Sequence, residues 1–224
     1  MLPFTRDQFL ANLVAYNEAI WPAQPAAFAM GILAVVLLFW RPAMADRLIA
    51  GILATMWVWT GIAYHWLHFT EINRAALIFG ALFVAQGALL AYFGVVRNHL
   101  RFGLGSGLGA TVGMAFLAYA IILYPLVGIL TGHAYPEMPV FGVTPCPVTI
   151  FTFGLFLLAG PTLPRWLLAI PFIWSLIGGS AAFLLDVPQD WLLLVSSVIA
   201  VPLVVANCSK RNLEGHKSWP TDAQ

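Results

Sequence analysis

Charge is what this chain has least of. Of its 224 residues only 8% are Asp, Glu, Lys or Arg, while 61% are hydrophobic. A soluble domain carries about 25% charged residues, so this composition belongs in a bilayer. The formal net charge of +1 removes the electrostatic basis for binding nucleic acid. Lysine is absent before Lys210, so no apolar segment offers the amine that a retinal Schiff base requires. No ladder of carboxylates crosses the apolar segments, which argues against a proton pump. Period-two alternation is missing, which excludes a transmembrane barrel. Walker, dinucleotide-binding and Gly-x-Ser-x-Gly motifs are missing too. No internal repeat supports an inverted-repeat transporter. The first residues, Met1-Leu2-Pro3-Phe4-Thr5-Arg6-Asp7, lack the pattern of a cleavable leader, so the first span is expected to act as the insertion signal.

What is present reads as all-α: a polytopic membrane protein with seven transmembrane helices preceded by an amphipathic interfacial helix. Residues 5–20 carry an apolar stripe of Phe9, Leu10, Leu13, Val14 and Ile20 beside Asn12, Asn17 and Glu18, which suits the interface and equally an ordinary helix packed over the mouth of the bundle. Thr5 is the expected cap, with Gln8 as its capping-box partner. The expected spans are 25–40, 48–68, 75–96, 105–130, 147–160, 166–185 and 191–207, the first and fifth being short. Residues 1–24 then form the interfacial helix and turn, 25–207 the transmembrane domain, and 208–224 a polar tail. Nine tryptophans and six tyrosines suit aromatic belts at two membrane surfaces. Gly105, Gly109 and Gly113 recur every four residues as a face for close helix approach, and Gly178 with Ala182 is read the same way. Pro125, Pro171 and Pro202 predict kinks.

Arginine and lysine orient the chain. Arg41, Arg47, Arg97, Arg101 and Arg165 share one set of loops, and the tail adds Lys210, Arg211 and Lys217; Arg6 and Arg74 fall on the other side. The positive-inside rule puts the carboxyl terminus in the cytoplasm and the amino terminus outside. Cys146 and Cys208 then lie on opposite sides and cannot pair within one chain. His65, His68, His133, Glu18, Glu71, Glu137, Cys146, Asp186 and Asp190 all gather at the outer face.

The run His65-Trp66-Leu67-His68-Phe69-Thr70-Glu71 sets two imidazoles and a carboxylate at steps of three, along one side of a regular helix. Such donors suit zinc, copper or iron. His65 is about 4.5 Å deeper than His68 at a rise of ~1.5 Å per residue, and is the stronger candidate. A hydrogen bond from His68 to Glu71 is the simpler alternative for that pair. His133 ends the fourth span at the same face and begins a proline-rich loop that leads to Cys146. With Pro147 in the first turn of the next helix, Cys146 sits near a helix amino end, which favours thiolate and a soft metal. Asp190 reads as the cap of the last span, Asp186 is less easily explained that way, and Glu18 is placed to close the site from above.

On Tyr16-Asn17, Trp21-Pro22-Ala23-Gln24, Trp59-Thr60-Gly61-Ile62-Ala63-Tyr64-His65, Gly132-His133-Ala134-Tyr135-Pro136 and Thr144-Pro145-Cys146-Pro147, the chain resembles, over nearly its full length, a bacterial seven-helix membrane family catalogued as a domain of unknown function. Pro145-Cys146-Pro147 resembles the membrane metal motif of heavy-metal pumping ATPases across those three residues. Thr60 and His65 resemble the second-span hydroxyl and histidine of ceramidase-like zinc hydrolases, but residues 191–207 lack that family's histidine pair.

Three readings follow. The first is a membrane protein with a transition-metal (zinc or copper) or haem site near its outer face, liganded by His65 and His133 with Cys146, His68 and Glu71, for metal handling, transport or electron transfer. The second is an enzyme, a metal-dependent hydrolase of lipid with Glu71 or Asp186 as base. The third is an accessory subunit whose partners, beyond the lipid bilayer, are another membrane protein or a second copy.

Overall fold

The computed structural model describes residues 2–160 and 163–217, with side chains through 206. Those residues are all-helical, as expected. Cys208, Lys210, Arg211, His216 and Lys217 fall beyond the described side chains, and 218–224 lie outside the described residues, so the tail reading is not addressed.

Helix α1 (Arg6–Ala19) starts where its cap predicts. The Gln8 N–H donates to Thr5 Oγ1 at 3.2 Å, and the Thr5 N–H donates to Gln8 Oε1 at 2.9 Å. Among the described residues, six helices are long and apolar enough to cross a membrane, which makes this a multi-pass membrane protein. The first is α2 (Ala23–Trp40). The second begins as α3 (Ala45–Trp59) and runs on as a continuous span to Glu71. The third is α4 (Ala76–Leu90), extended to Val96 by a π turn. The fourth joins α5 (Leu108–Ala118) to α6 (Tyr124–Leu130) through a π turn at Tyr119–Leu123, where Pro125 removes a helix donor. The last two are α8 (Ala169–Leu185) and α9 (Trp191–Lys217), the latter running ten residues beyond the expected end at 207.

The expected fifth span is instead the short helix α7 (Pro145–Leu158), all fourteen of whose residues are buried. At ~1.5 Å per residue it is about 21 Å long, short of a ~30 Å hydrocarbon core. It is apolar all round because protein surrounds it all round: α3, α5, α8 and α9 pack against it. Within the expected glycine face, Gly113 meets a neighbour closely. A Cβ there would lie 2.9 Å from the Gly154 carbonyl oxygen of α7 and 3.1 Å from Leu158. Gly113→Leu is therefore expected to destabilise the protein by about 1–3 kcal/mol, the usual range for overpacking. Unfolding in mixed micelles measures it, and an unchanged midpoint would mean that α5 and α7 separate freely.

Opposite α1, Asp46 joins the turn after α2 to the segment before α5. Its carboxylate accepts from Arg41 at 2.9 Å, from Arg101 at 3.3 Å and from the Phe102 N–H at 2.9 Å, while Arg41 also donates to the Phe102 carbonyl. A buried carboxylate needs such partners.

Candidate functional site

The two asparagines that make α1 look interfacial face inward. Asn17 is fully buried and its amide donates to the carbonyls of Pro136 at 2.7 Å and Met138 at 2.9 Å. Asn12 donates to the His68 carbonyl at 2.9 Å. Tyr16 donates to the Val143 carbonyl at 2.5 Å and accepts from Trp59 at 3.1 Å; burial pushes its hydroxyl well above the ordinary range, so it remains a donor. Arg6 donates to the Leu185 carbonyl at 3.0 Å and to His133 Nε2 at 2.8 Å. These bonds run to three connections at one end of the bundle: the segment after α3, the loop from 131 to 144, and the turn after α8. Helix α1 is a strap across that end.

Beneath it lies a cavity of about 200 Å³. Its walls are largely apolar and include six rings: Phe4 and Phe9 from α1 and its approach, Tyr64 and Phe69 from the segment after α3, Phe79 from α4, Trp174 from α8. The rings brace one another, with centroids 5.4 Å apart for Tyr64–Phe69, Phe4–Phe69 and Phe79–Trp174. Polar groups are few; Cys146, Thr144 and Asp190 lie together on one wall.

Asp190 occupies a 3-10 turn (Pro188–Asp190) before α9 and is 4% exposed. Its Oδ1 accepts from the Tyr124 hydroxyl of α6, and the Cys146 thiol at the start of α7 lies beside it. This corrects the expectation of a simple helix cap, and it reverses the expected ranking, since Asp186 is exposed at the left-handed end of α8 (φ 55°). Cys146 sits near an amino-terminal helix end as expected, but it is buried, faces a carboxyl and contacts the apolar cavity. Those surroundings favour the neutral thiol over the expected thiolate.

The His65–Glu71 run is not one stripe. A π turn (Thr60–Trp66) widens the helix, and a 3-10 turn (Phe69–Glu71) tightens it again. The two changes rotate successive side chains away from the regular helical spacing. His65 points into the core, fully buried among Tyr64, Phe69, Phe79, Phe83 and Trp174, with neither ring nitrogen hydrogen-bonded. His68 Nδ1 pairs with the Ala63 carbonyl at 2.8 Å, and its ring packs on Tyr16 at 5.1 Å. The expected His68–Glu71 bond is not formed: the nearer carbonyl takes the ring nitrogen, and Glu71 is exposed. His133 has its Nε2 lone pair occupied by Arg6. No group of three or more His, Cys, Asp or Glu that could hold a metal ion occurs among the described residues. Glu18 is exposed on α1 rather than closing the site. Thr60 spends its hydroxyl on the Met56 carbonyl at 2.8 Å.

Sequence reasoning did not find Tyr64, Tyr124 and Trp174. Tyr124 carried the best signal, a phenol about two turns inside an apolar span that must find a partner.

A family model described as "Family of unknown function (DUF6064)" matches residues 6–215, and the chain belongs to that family. No curated protein and no solved structure matches the chain.

Proposed function

We propose that this member of a family of unknown function is a membrane-embedded binding protein that takes one small, mostly apolar molecule into the cavity under α1. The observation that carries the reading is the cavity itself: about 200 Å³, walled by rings, strapped by α1 and furnished with a few polar groups on one wall. Few polar groups in an apolar hollow are the usual form of a ligand site. An apolar cavity of ~150 Å³ stays dry and accepts benzene, so this one suits a single substituted ring. The placement of Arg and Lys supports a bacterial inner membrane with the strap outside, the tail inside, and a seven-helix bundle in which α7 is the buried seventh member. The cavity then opens to the periplasmic side, and receptor or carrier work suits it better than metal handling, for which the candidate ligands do not gather.

Toluene is the direct probe. It is expected to raise the melting temperature of the purified protein, by up to the equivalent of about 2.7 kcal/mol at a hundredfold excess over Kd. Ala181→Phe, on the cavity wall, fills the space and is expected to abolish the shift; it also controls for partition of toluene into detergent. Equal shifts in the two proteins would sink the reading.

A further inference from the structure

Asp190 is a buried carboxyl in an apolar chain, and its known partners are both donors without charge. The Tyr124 O–H donates to it, and the Cys146 thiol lies beside it. An ionised carboxylate is acceptor-only and suits two donors. The titratable groups that face it are Tyr64, Tyr119, Tyr124 and Cys146, none of which is basic. Arg41 and Arg101 form ion pairs with Asp46, at the far end of the bundle, and no arginine is found paired with Asp190 among the described residues. A buried charge left without a counter-charge is costly, and inside a membrane protein such a residue normally has a partner.

The missing partner has a space next to Asp190. The carboxyl lines the same cavity as Tyr64, Phe69, Phe79 and Trp174. Aromatic faces attract an organic cation within about 6 Å of a ring centroid, and they do so most strongly where water is excluded. A metal ion or a hydrated inorganic cation would gain little from such walls, whereas an ammonium carried on a hydrocarbon body uses both the rings and the carboxylate. Trp174 adds a second unmet group: its buried indole N–H has no hydrogen-bond partner and lies beside Cys146.

Building on the cavity reading above, we propose that the cavity ligand is a small organic ammonium ion, held by the Asp190 carboxylate and the rings of Tyr64, Phe69, Phe79 and Trp174. Cys146 and Tyr124 hold the carboxylate in place, and the volume limits the ligand to about one ring or a compact alkyl group.

Benzylammonium and its neutral counterpart benzyl alcohol separate charge from shape. Titrated against the intact purified protein and followed by thermal shift, benzylammonium is expected to bind at least about tenfold more tightly than benzyl alcohol. Asp190→Asn keeps an acceptor for Tyr124 and is expected to erase that preference while leaving benzyl alcohol unchanged. Equal affinities for the two compounds in the native protein would overturn the cation assignment yet leave the cavity reading standing, and this comparison needs no variant to fold. Failure of toluene, benzyl alcohol and benzylammonium alike would overturn both. A preference for benzylammonium that survives Asp190→Asn would also overturn the assignment to Asp190.

Discussion

Trp57→Ala is expected to lower the free energy of unfolding by about 3 kcal/mol, at the lower end of the ~3–5 kcal/mol typical for losing a buried aromatic. Trp57 is fully buried between α3 and its neighbours. Its ring lies 4.4 Å from that of Phe83 in α4, and its N–H donates to Thr152 Oγ1 of α7 at 2.9 Å. One side chain thus ties three helices together. The lower figure follows from the solvent: unfolded helices remain in lipid, so little transfer energy is lost and the vacated space dominates. Trp57→Phe keeps most of the packing and leaves Thr152 still donating to the Val148 carbonyl at 2.7 Å, so about 1 kcal/mol is expected for it. Unfolding titrations in mixed micelles compare the two. Equal losses would show that the hydrogen bond, rather than ring volume, carries the contact.

Asn17→Ala is expected to cost about 2–3 kcal/mol locally and to loosen the strap. The substitution leaves the Met138 carbonyl buried without its donor and deprives Pro136 of the same amide; each unmet buried group costs ~1–3 kcal/mol, less where water reaches it. The unbound loop and α1 then separate more often, and Cys146 beneath them becomes reachable. A small maleimide is therefore expected to alkylate Cys146 at least several-fold faster than in the native protein. Cys146 is 8% exposed in the strapped form, so the native rate sets a low baseline. An unchanged alkylation rate together with an unchanged unfolding midpoint would remove α1 from the role of a strap.

The helices were legible because each is written in local terms. Thr5 and Gln8 spell a capping box, and α1 starts there. The uninterrupted apolar stretches became α2, α4, α5–α6, α8 and α9 within a few residues of their expected starts, since lipid imposes both the length and the composition. The family resemblance held for the same reason of local pattern, with the match covering 6–215. The candidate site was far less legible. The step-of-three reading of His65, His68 and Glu71 assumes a regular helix, and the π and 3-10 turns break that assumption. Nothing in Thr60-Gly61-Ile62-Ala63-Tyr64-His65-Trp66 announces a π turn. A tertiary contact accompanies it: a Cβ at Gly61 would stand 2.9 Å from the Gly80 carbonyl oxygen, so α4 is seated against this segment more closely than most residues allow.

Asp190 shows the same division. Beside Pro188 and Trp191 its carboxyl reads as a cap, and only the approach of Tyr124 and Cys146, 66 and 44 positions away, turns it into a buried acceptor facing a cavity. By itself, then, the sequence determined the solvent of this protein, its all-helical class and the start of α1. Apolar content and capping act over neighbouring residues. The tertiary structure alone decided that α7 is wholly enclosed, that Asn12 and Asn17 tether rather than float, and that a carboxylate and a ring of aromatics share one small space. Those depend on which distant side chains meet, and spacing along the chain does not encode that.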